Sequence, residues 1–283
     1  MTTEEIQAAV ARFPDATPVL STADKVAMDE SIAALHKAGK PAIEGLIAMF
    51  VDRNPEVDCK ARHALHALVH HVWTIKDDAG RALLAGTMAG ALGGEKPKEI
   101  QAFLLAQIQL CGSKEVVAAL GKVLLDPELC DPACAALMAI RDGAAAPLRD
   151  ALPKANGRVK LAIIQALGAL KDAAAAPALR AIVKDEDRDT RIAACWALAS
   201  IGDATAIDLL TAATASEGWE QIKSVKNCLV LAENLAAAGK KSEAAKIYRH
   251  LHASRSGAKD AYIRDAAMRG LSAINMKLKE TVS

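Results

Sequence analysis

The sequence predicts an all-α protein: a right-handed α-solenoid (an α–α superhelix) of about seven to eight antiparallel helical pairs. Three observations predict it. The first is an internal repeat. Residues 158–172 followed by 173–183 are restated about 31 residues later as 189–203 followed by 204–213, and a fixed period in this range marks stacked supersecondary units. The second is composition. Of 283 residues, 52% are hydrophobic but only 3% aromatic. The core must therefore be built from Ala, Leu, Ile and Val, and small side chains let helices approach closely. The third is periodicity. Leu161, Ile164, Leu167 and Leu170 keep a three-to-four spacing, and so do Ile192, Cys195, Leu198 and Ile201. No segment sustains the alternation of a strand.

Taken in order, the same rhythm predicts helices at roughly 3–13, 22–38, 41–51, 56–73, 77–92, 97–111, 114–125 and 131–141, then at roughly 144–152, 157–170, 173–184, 188–201, 204–215, 218–238, 242–253 and 258–276. Turn chemistry separates them. Gly39-Lys-Pro41, Gly112-Ser-Lys114, Asp142-Gly-Ala144, Lys171-Asp172 and Gly202-Asp203 each close one helix and open the next. Gly supplies the left-handed closing residue, and Asp or Ser caps the next helix. Pro41, Pro147 and Pro177 fall near the start of second helices, where a missing N–H does least harm. The chain reads as one helical-repeat domain: 1–55 as an N-terminal cap with degenerate repeats, 56–216 as the regular array, 217–283 as a last hairpin and cap.

The segment Asp185–Asp203 resembles a HEAT repeat of the phycobilisome-lyase-like subtype, as do the second-helix starts Asp142-Gly-Ala-Ala-Ala-Pro147 and Asp172-Ala-Ala-Ala-Ala-Pro177. That resemblance implies an acidic residue, Asp187 or Asp189, paired with Arg191. The segment Leu229–Tyr248, with its Gly239 turn and Glu-Ala-Ala run, is more similar to a tetratricopeptide unit. Chromophore lyases share the HEAT subtype, so a lyase-like or accessory enzyme is the alternative function. The similar di-iron hydroxylases need His-Glu pairs, and no histidine here precedes a Glu.

Charge narrows the partners. Lys+Arg number 35 against 34 Asp+Glu, which disfavours an extended phosphate footprint and hence nucleic acid. No apolar run is long enough to span a membrane, and residues 1–7 lack the features of a secretory leader. A cytoplasmic location is expected, an exported bacterial protein whose leader has been removed being the alternative. Most of the six cysteines (Cys59, Cys111, Cys130, Cys134, Cys195 and Cys228) sit in apolar helical runs and are expected as buried free thiols rather than a disulfide frame.

The most suggestive cluster is Cys59, His63, His66 and His70, which share one helix face opposite Val57, Ala61, Leu65, Leu68 and Val72. A zinc or copper ion could take at most two or three of them, since one straight helix cannot close a tetrahedron. Packing is the preferred reading, with no cofactor and no metal expected. His250, His252, Lys240, Lys241, Lys246, Arg249 and Arg255 form a mildly basic C-terminal patch. Trp196 is expected in the core, Trp73 and Trp219 at half-exposed helix ends. No P-loop, dinucleotide fingerprint, nucleophile elbow or His-Glu-x-x-His occurs. The expected function is a non-catalytic scaffold, monomeric by default, that binds a protein or peptide on the concave face formed by its second helices. The candidate contact residues there are Lys40, Glu44, Lys114, Glu115, Arg149, Asp150, Arg180 and Asp208. A spacer or docking module cut from a larger bacterial protein is a further alternative.

Overall fold

Each of the sixteen predicted helices is present in the computed structural model, which describes residues 1–14, 21–51 and 54–275. No strand occurs among the described residues. The predicted helix end at 276 lies outside them. Packing divides the chain into two compact units, 1–155 and 156–283, and the division falls inside the span read as one array.

The first unit contains α1 (Thr3–Ala11), α2 (Thr22–Ala38), α3 (Lys40–Ala48), α4 (Pro55–Thr74), α5 (Asp78–Gly90), α6 (Lys98–Cys111), α7 (Val117–Gly121), α8 (Cys130–Ile140) and α9 (Ala145–Ala151). Four pairs follow α1: α2/α3, α4/α5, α6/α7 and α8/α9. First helices stack on first helices, α2 on α4, α4 on α6 and α6 on α8, while α3, α5, α7 and α9 stack alongside. The second unit contains α10 (Gly157–Ala169), α11 (Ala176–Ile182), α12 (Arg188–Ile201), α13 (Ile207–Ala213), α14 (Gly218–Ala237), α15 (Lys241–Ala253) and α16 (Ala261–Ala273). First helices α10, α12 and α14 stack in turn, α11 packs on α12, α13 on α14, and α15 on both α14 and α16. Within each unit the stacking is that of a solenoid: each pair buries its neighbour's apolar stripe and little else.

Local sequence sets the helix ends. Thr2 and Ser21 form reciprocal capping boxes with Glu5 and Asp24, each satisfying two otherwise unpaired N–H groups. Asp77, Asp187 and Asp203 accept from the backbone N–H of Gly80, Thr190 and Thr205 at 2.9, 2.8 and 3.1 Å. Three second helices are shorter than predicted because each opens with a single 3₁₀ turn, at Lys114–Val116, Ala173–Ala175 and Ala204–Ala206. First helices α12 and α14 end at a left-handed Gly202 and Gly239. Lys76 and Lys171 adopt the same conformation after α4 and α10, with the same closing bonds, Asp77 N to Val72 O at 2.9 Å and Asp172 N to Leu167 O at 3.1 Å. Gly112 differs from expectation. It closes α6 in extended backbone (φ −66°), and its role is space: an added Cβ would lie 2.7 Å from Ile108 O.

Close helix contact depends on small residues. Gly168 of α10 faces α12 so closely that an added Cβ would lie 2.8 Å from Ala197 Cα and 2.7 Å from Trp196 Cζ3. Ala166, Ala194, Ala197 and Ala199 are fully buried in the same layer.

Charged side chains tie consecutive repeats near the N-terminal ends of first helices. Lys98 of α6 pairs with Asp126 ahead of α8, and Lys160 of α10 with Asp185 ahead of α12. Arg191 of α12 reaches forward to Glu220 of α14 with two bonds of 2.8 Å. The expected pairing of Arg191 with Asp187 or Asp189 is therefore corrected. Asp187 is occupied as the α12 cap, Asp189 pairs with Arg188 at 3.2 Å, and Arg191 also donates to the carbonyls of Asp185 and Glu186.

The most buried charge lies in the first unit. Asp58 is 2% exposed; it accepts from Val51 N and from Arg62 Nε, both at 2.8 Å. Arg62 extends its other two nitrogens to Glu99 of α6 at 2.6 and 2.8 Å. Its guanidinium lies 5.3 and 4.9 Å from the rings of Phe50 and Phe103. A second buried polar group, Gln101, fixes the loop before α6. Its Oε1 accepts from Gly93 N at 2.8 Å and its Nε2 donates to Lys96 O at 2.7 Å.

Candidate functional site

Two open grooves lie between successive second helices of the first unit. One, of about 650 Å³, runs between α3 and α5, lined by Lys40, Glu44 and Ile47 on one side and Leu83, Gly86, Thr87 and Gly90 on the other, with Lys96 at its end. The other, of about 540 Å³, runs between α7 and α9, among Lys114, Ala118, Gly121, Lys122, Leu125, Pro147, Asp150 and Lys154. The floors are small residues: Cβ atoms added at Gly86 and Gly90 would meet nothing within 4 Å. The rims are charged. Lys40 and Glu44 pair across one helical turn at 3.5 Å, and the second groove carries three lysines against one aspartate.

Four of the eight candidate contact residues thus line grooves: Lys40, Glu44, Lys114 and Asp150. Glu115 is exposed beside them, held by the Ser113 hydroxyl, which keeps its carboxyl below the usual range. Arg149 is half-buried on α9. In the second unit Asp208 is exposed on α13. Arg180 is committed, donating to Asp203 Oδ2 at 2.6 Å and Thr205 Oγ1 at 2.7 Å; it ties α11 to the turn before α13.

The histidine face of α4 is directed elsewhere. His66 Nδ1 meets Gln107 Oε1 of α6 at 2.9 Å, and His66 Nε2 meets His70 Nε2 at 3.1 Å. With the Gln107 oxygen accepting, His66 is protonated at Nδ1, and His70 donates to its Nε2. His63 packs edge-on against Phe13, ring centroids 5.3 Å apart. Cys59 Sγ lies 3.7 Å from Glu56 O. Only His66 and His70 are brought together. Among the described residues no three His, Cys, Asp or Glu side chains converge as a metal site. The core stripe opposite is also corrected at one position. Ala61, Leu65, Leu68 and Val72 are buried, but Val57 is 66% exposed, because it sits in the first turn of α4, ahead of the stacked portion. His71 packs edge-on against His36 at 5.2 Å, and His36 Nε2 binds Asp77 Oδ2 at 2.8 Å.

Burial raises the thiol pKa of most of the cysteines. Five of the six are buried and Cys59 is intermediate; all six are free thiols. Cys111 and Cys228 are pushed up to about 12 and Cys195 to about 11 by desolvation. Cys134 is raised by its contact with Cys130, 3.9 Å away in the same turn of α8.

Three histidines are held below their ordinary pKa, chiefly by burial: His63, His71 and His250. In each the folded state disfavours the proton. Stability is therefore fully present above the unfolded value of about 6.5 and is lost as pH falls below it. The urea midpoint is expected to fall between pH 7 and pH 5, a window above carboxylate titration. The slope should flatten when all three are changed to Gln; an unchanged slope would remove these residues as its cause.

Two expectations for single residues are corrected. Trp196 is half-buried rather than core, because it crosses the surface of α10 above Gly168. Arg255, placed in the basic C-terminal patch, is only 9% exposed, and its Nη2 donates to Thr214 O at the end of α13. Trp73 and Trp219 are half-exposed as expected. Trp73 Nε1 donates to Leu110 O at 2.9 Å, with Arg81 4.5 Å from the ring centroid.

Within each unit the fold is that of a helical-repeat protein. Residues 145–226 match the family model for HEAT repeats, covering α9 to α13 and the start of α14. A comparison with curated protein sequences gave no match. Among solved structures, Kap95p in complex with RanGDP aligns at 11% identity and a TM-score of 0.57, over 95% of this chain and 40% of that one. Kap121p bound to Nup53p aligns at 13% identity and 0.52, over 96% and 36%. The chain thus spans well under half of either relative. The CpcE–CpcF phycocyanin lyase complex of Nostoc sp. PCC7120 aligns at 17% identity and 0.42, over 81% and 94%. The property shared with Kap95p and Kap121p is the helical-repeat fold. No helix among the described residues is long and apolar enough to cross a membrane.

Proposed function

We propose that this protein is a non-catalytic scaffold that holds a segment of a partner protein or peptide in its second-helix grooves. The observation that carries this reading is the pair of grooves between α3 and α5 and between α7 and α9, with small-residue floors and charged rims. A floor without side chains lets a partner's backbone approach closely. Rim charges such as Lys40, Glu44, Lys114 and Asp150 then set orientation and specificity more than affinity. The excess of lysine in the second groove favours an acidic partner segment. Kap95p and Kap121p, which share the fold, are seen with the protein partners RanGDP and Nup53p. The His63–His70 face, which would favour a lyase-like reading if it opened into a groove, lines neither of them.

Filling the grooves tests the proposal. Gly86 and Ala118 are exposed on the groove floors, so Gly86→Trp and Ala118→Trp add bulk without entering the core. Partners recovered from the native cell with the wild-type chain should fall by about tenfold or more with the double variant, the scale of a blocked hot spot. Circular dichroism should show the helices intact. Undiminished recovery by a folded double variant would overturn the reading.

A further inference from the structure

A third groove, of about 440 Å³, lies on the opposite set of helices, in the second unit, and the expected contact residues do not reach it. First helices α10, α12 and α14 form it together: Leu161 and Gln165 from α10, Asp189, Ile192 and Trp196 from α12, Trp219, Lys223 and Lys226 from α14. We propose that this groove docks an acidic peptide segment carrying a bulky apolar side chain. The proposal stands independently of the second-helix grooves.

Two features point to an apolar guest. Trp196 Cζ3 lies close to Gly168, which gives the ring room, and the indole lines the groove beside Leu161 and Ile192. Trp219 is 55% exposed, and Ile222, equally exposed one turn on, lies outside the groove lining but extends the apolar surface of α14 beside it. Large exposed side chains grouped in this way, rather than scattered singly, mark interaction surfaces. Tryptophan is also among the residue types most enriched in binding hot spots.

The rim points to negative charge. Lys223 Nζ lies 4.4 Å from the centroid of the Trp219 ring, and no carboxylate among the described residues pairs with Lys223 or Lys226. Of the nearby carboxylates, Glu220 is engaged, taking both forward bonds of Arg191, and Asp189, which lines one side of the groove, makes an exposed contact with its neighbour Arg188. The groove therefore offers two ammonium groups without a carboxylate partner beside two indoles. A guest with Asp or Glu flanking Phe, Leu or Trp satisfies both. A nucleic acid would also stack and pair, but its footprint needs a row of cations, and the chain as a whole is near neutral, 35 Lys+Arg against 34 Asp+Glu.

The test uses the full chain and a fluorescein-labelled peptide of about twelve residues, Asp and Glu flanking a central Phe-Leu pair, with anisotropy read at low salt. Binding in about the 10–100 μM range is expected, as for a weak linear-motif site. It should weaken about tenfold in Trp219→Ala and in the Lys223→Ala/Lys226→Ala double variant, and be unchanged in the Gly86→Trp/Ala118→Trp double variant. Three results would each overturn the proposal: no binding, equal affinity for a peptide with Lys in place of every acid, or equal affinity for a single-stranded oligonucleotide. Loss in Gly86→Trp/Ala118→Trp with retention in Trp219→Ala would also overturn it, by placing the acidic peptide in the second-helix grooves. Trp219 and Lys226 are exposed and Lys223 is half-buried, none of them in the core, so these variants leave the core intact.

Discussion

Gly168→Ala is expected to destabilise the protein by about 1–3 kcal/mol, the range for a methyl forced into a filled interior. The direction is the informative part. Alanine in place of glycine inside a helix ordinarily stabilises by about 0.5–1 kcal/mol, by reducing the freedom of the unfolded chain. Here the added Cβ would sit 2.7–2.9 Å from Trp196 Cζ3 and from the Cα and Cβ of Ala197. Two of those three atoms are backbone or attached directly to it, so α12 itself must move. Gly86→Ala is the control: the same change in a helix with open space around it should stabilise by up to about 1 kcal/mol. Urea unfolding of the two variants should give opposite signs. If Gly168→Ala is neutral or stabilising, α10 and α12 have slack at their crossing.

Arg62→Ala is expected to cost about 3–5 kcal/mol, the range for removing one partner of a buried ion pair. Removing the guanidinium leaves Asp58, 2% exposed, with only Val51 N as a partner. It also deletes the fork to Glu99 that ties α4 to α6, and the cation seated by Phe50 and Phe103. Arg62→Lys should recover only part of the loss, because an ammonium cannot bond Asp58 and both Glu99 oxygens from one plane. The double variant Asp58→Asn/Arg62→Met should be less destabilised than Arg62→Ala, since it removes the charge that would otherwise be stranded. Guanidinium unfolding of the three variants gives this ranking; equal losses would mean that the cost is one of packing alone.

Helix positions were legible because each repeat writes its own punctuation. Apolar residues at three-to-four spacing, a closing residue and a capping acid recur together, and all sixteen helices follow. What the pattern could not show was which residues reach across from one repeat to the next. Arg191 is close to Asp187 in sequence, so a local pair was the natural reading; its long side chain instead spans to Glu220, 29 positions later. Arg255 reads as one more surface cation until the end of α13 is brought over it. The same limit governs the candidate sites. Lys40, Glu44, Lys114 and Asp150 could be placed on grooves because second helices face outward by periodicity. The Trp196–Trp219 groove could not be seen, since it is assembled from three helices and rests on a glycine near the end of α10. The signal that could have found it was present: an indole on a first helix one repeat after a first helix carrying a glycine, then Trp-x3-Lys in the next first helix.

Gln101 has a reach beyond the loop it fills. By bonding Gly93 N and Lys96 O from the core, it fixes the backbone that carries Lys96 to the end of the α3–α5 groove. The entropy of ordering that segment is lost when the chain folds, not when a guest arrives. In the proposed scaffold, a side chain with no access to any partner would thereby set part of the free energy with which the partner is held.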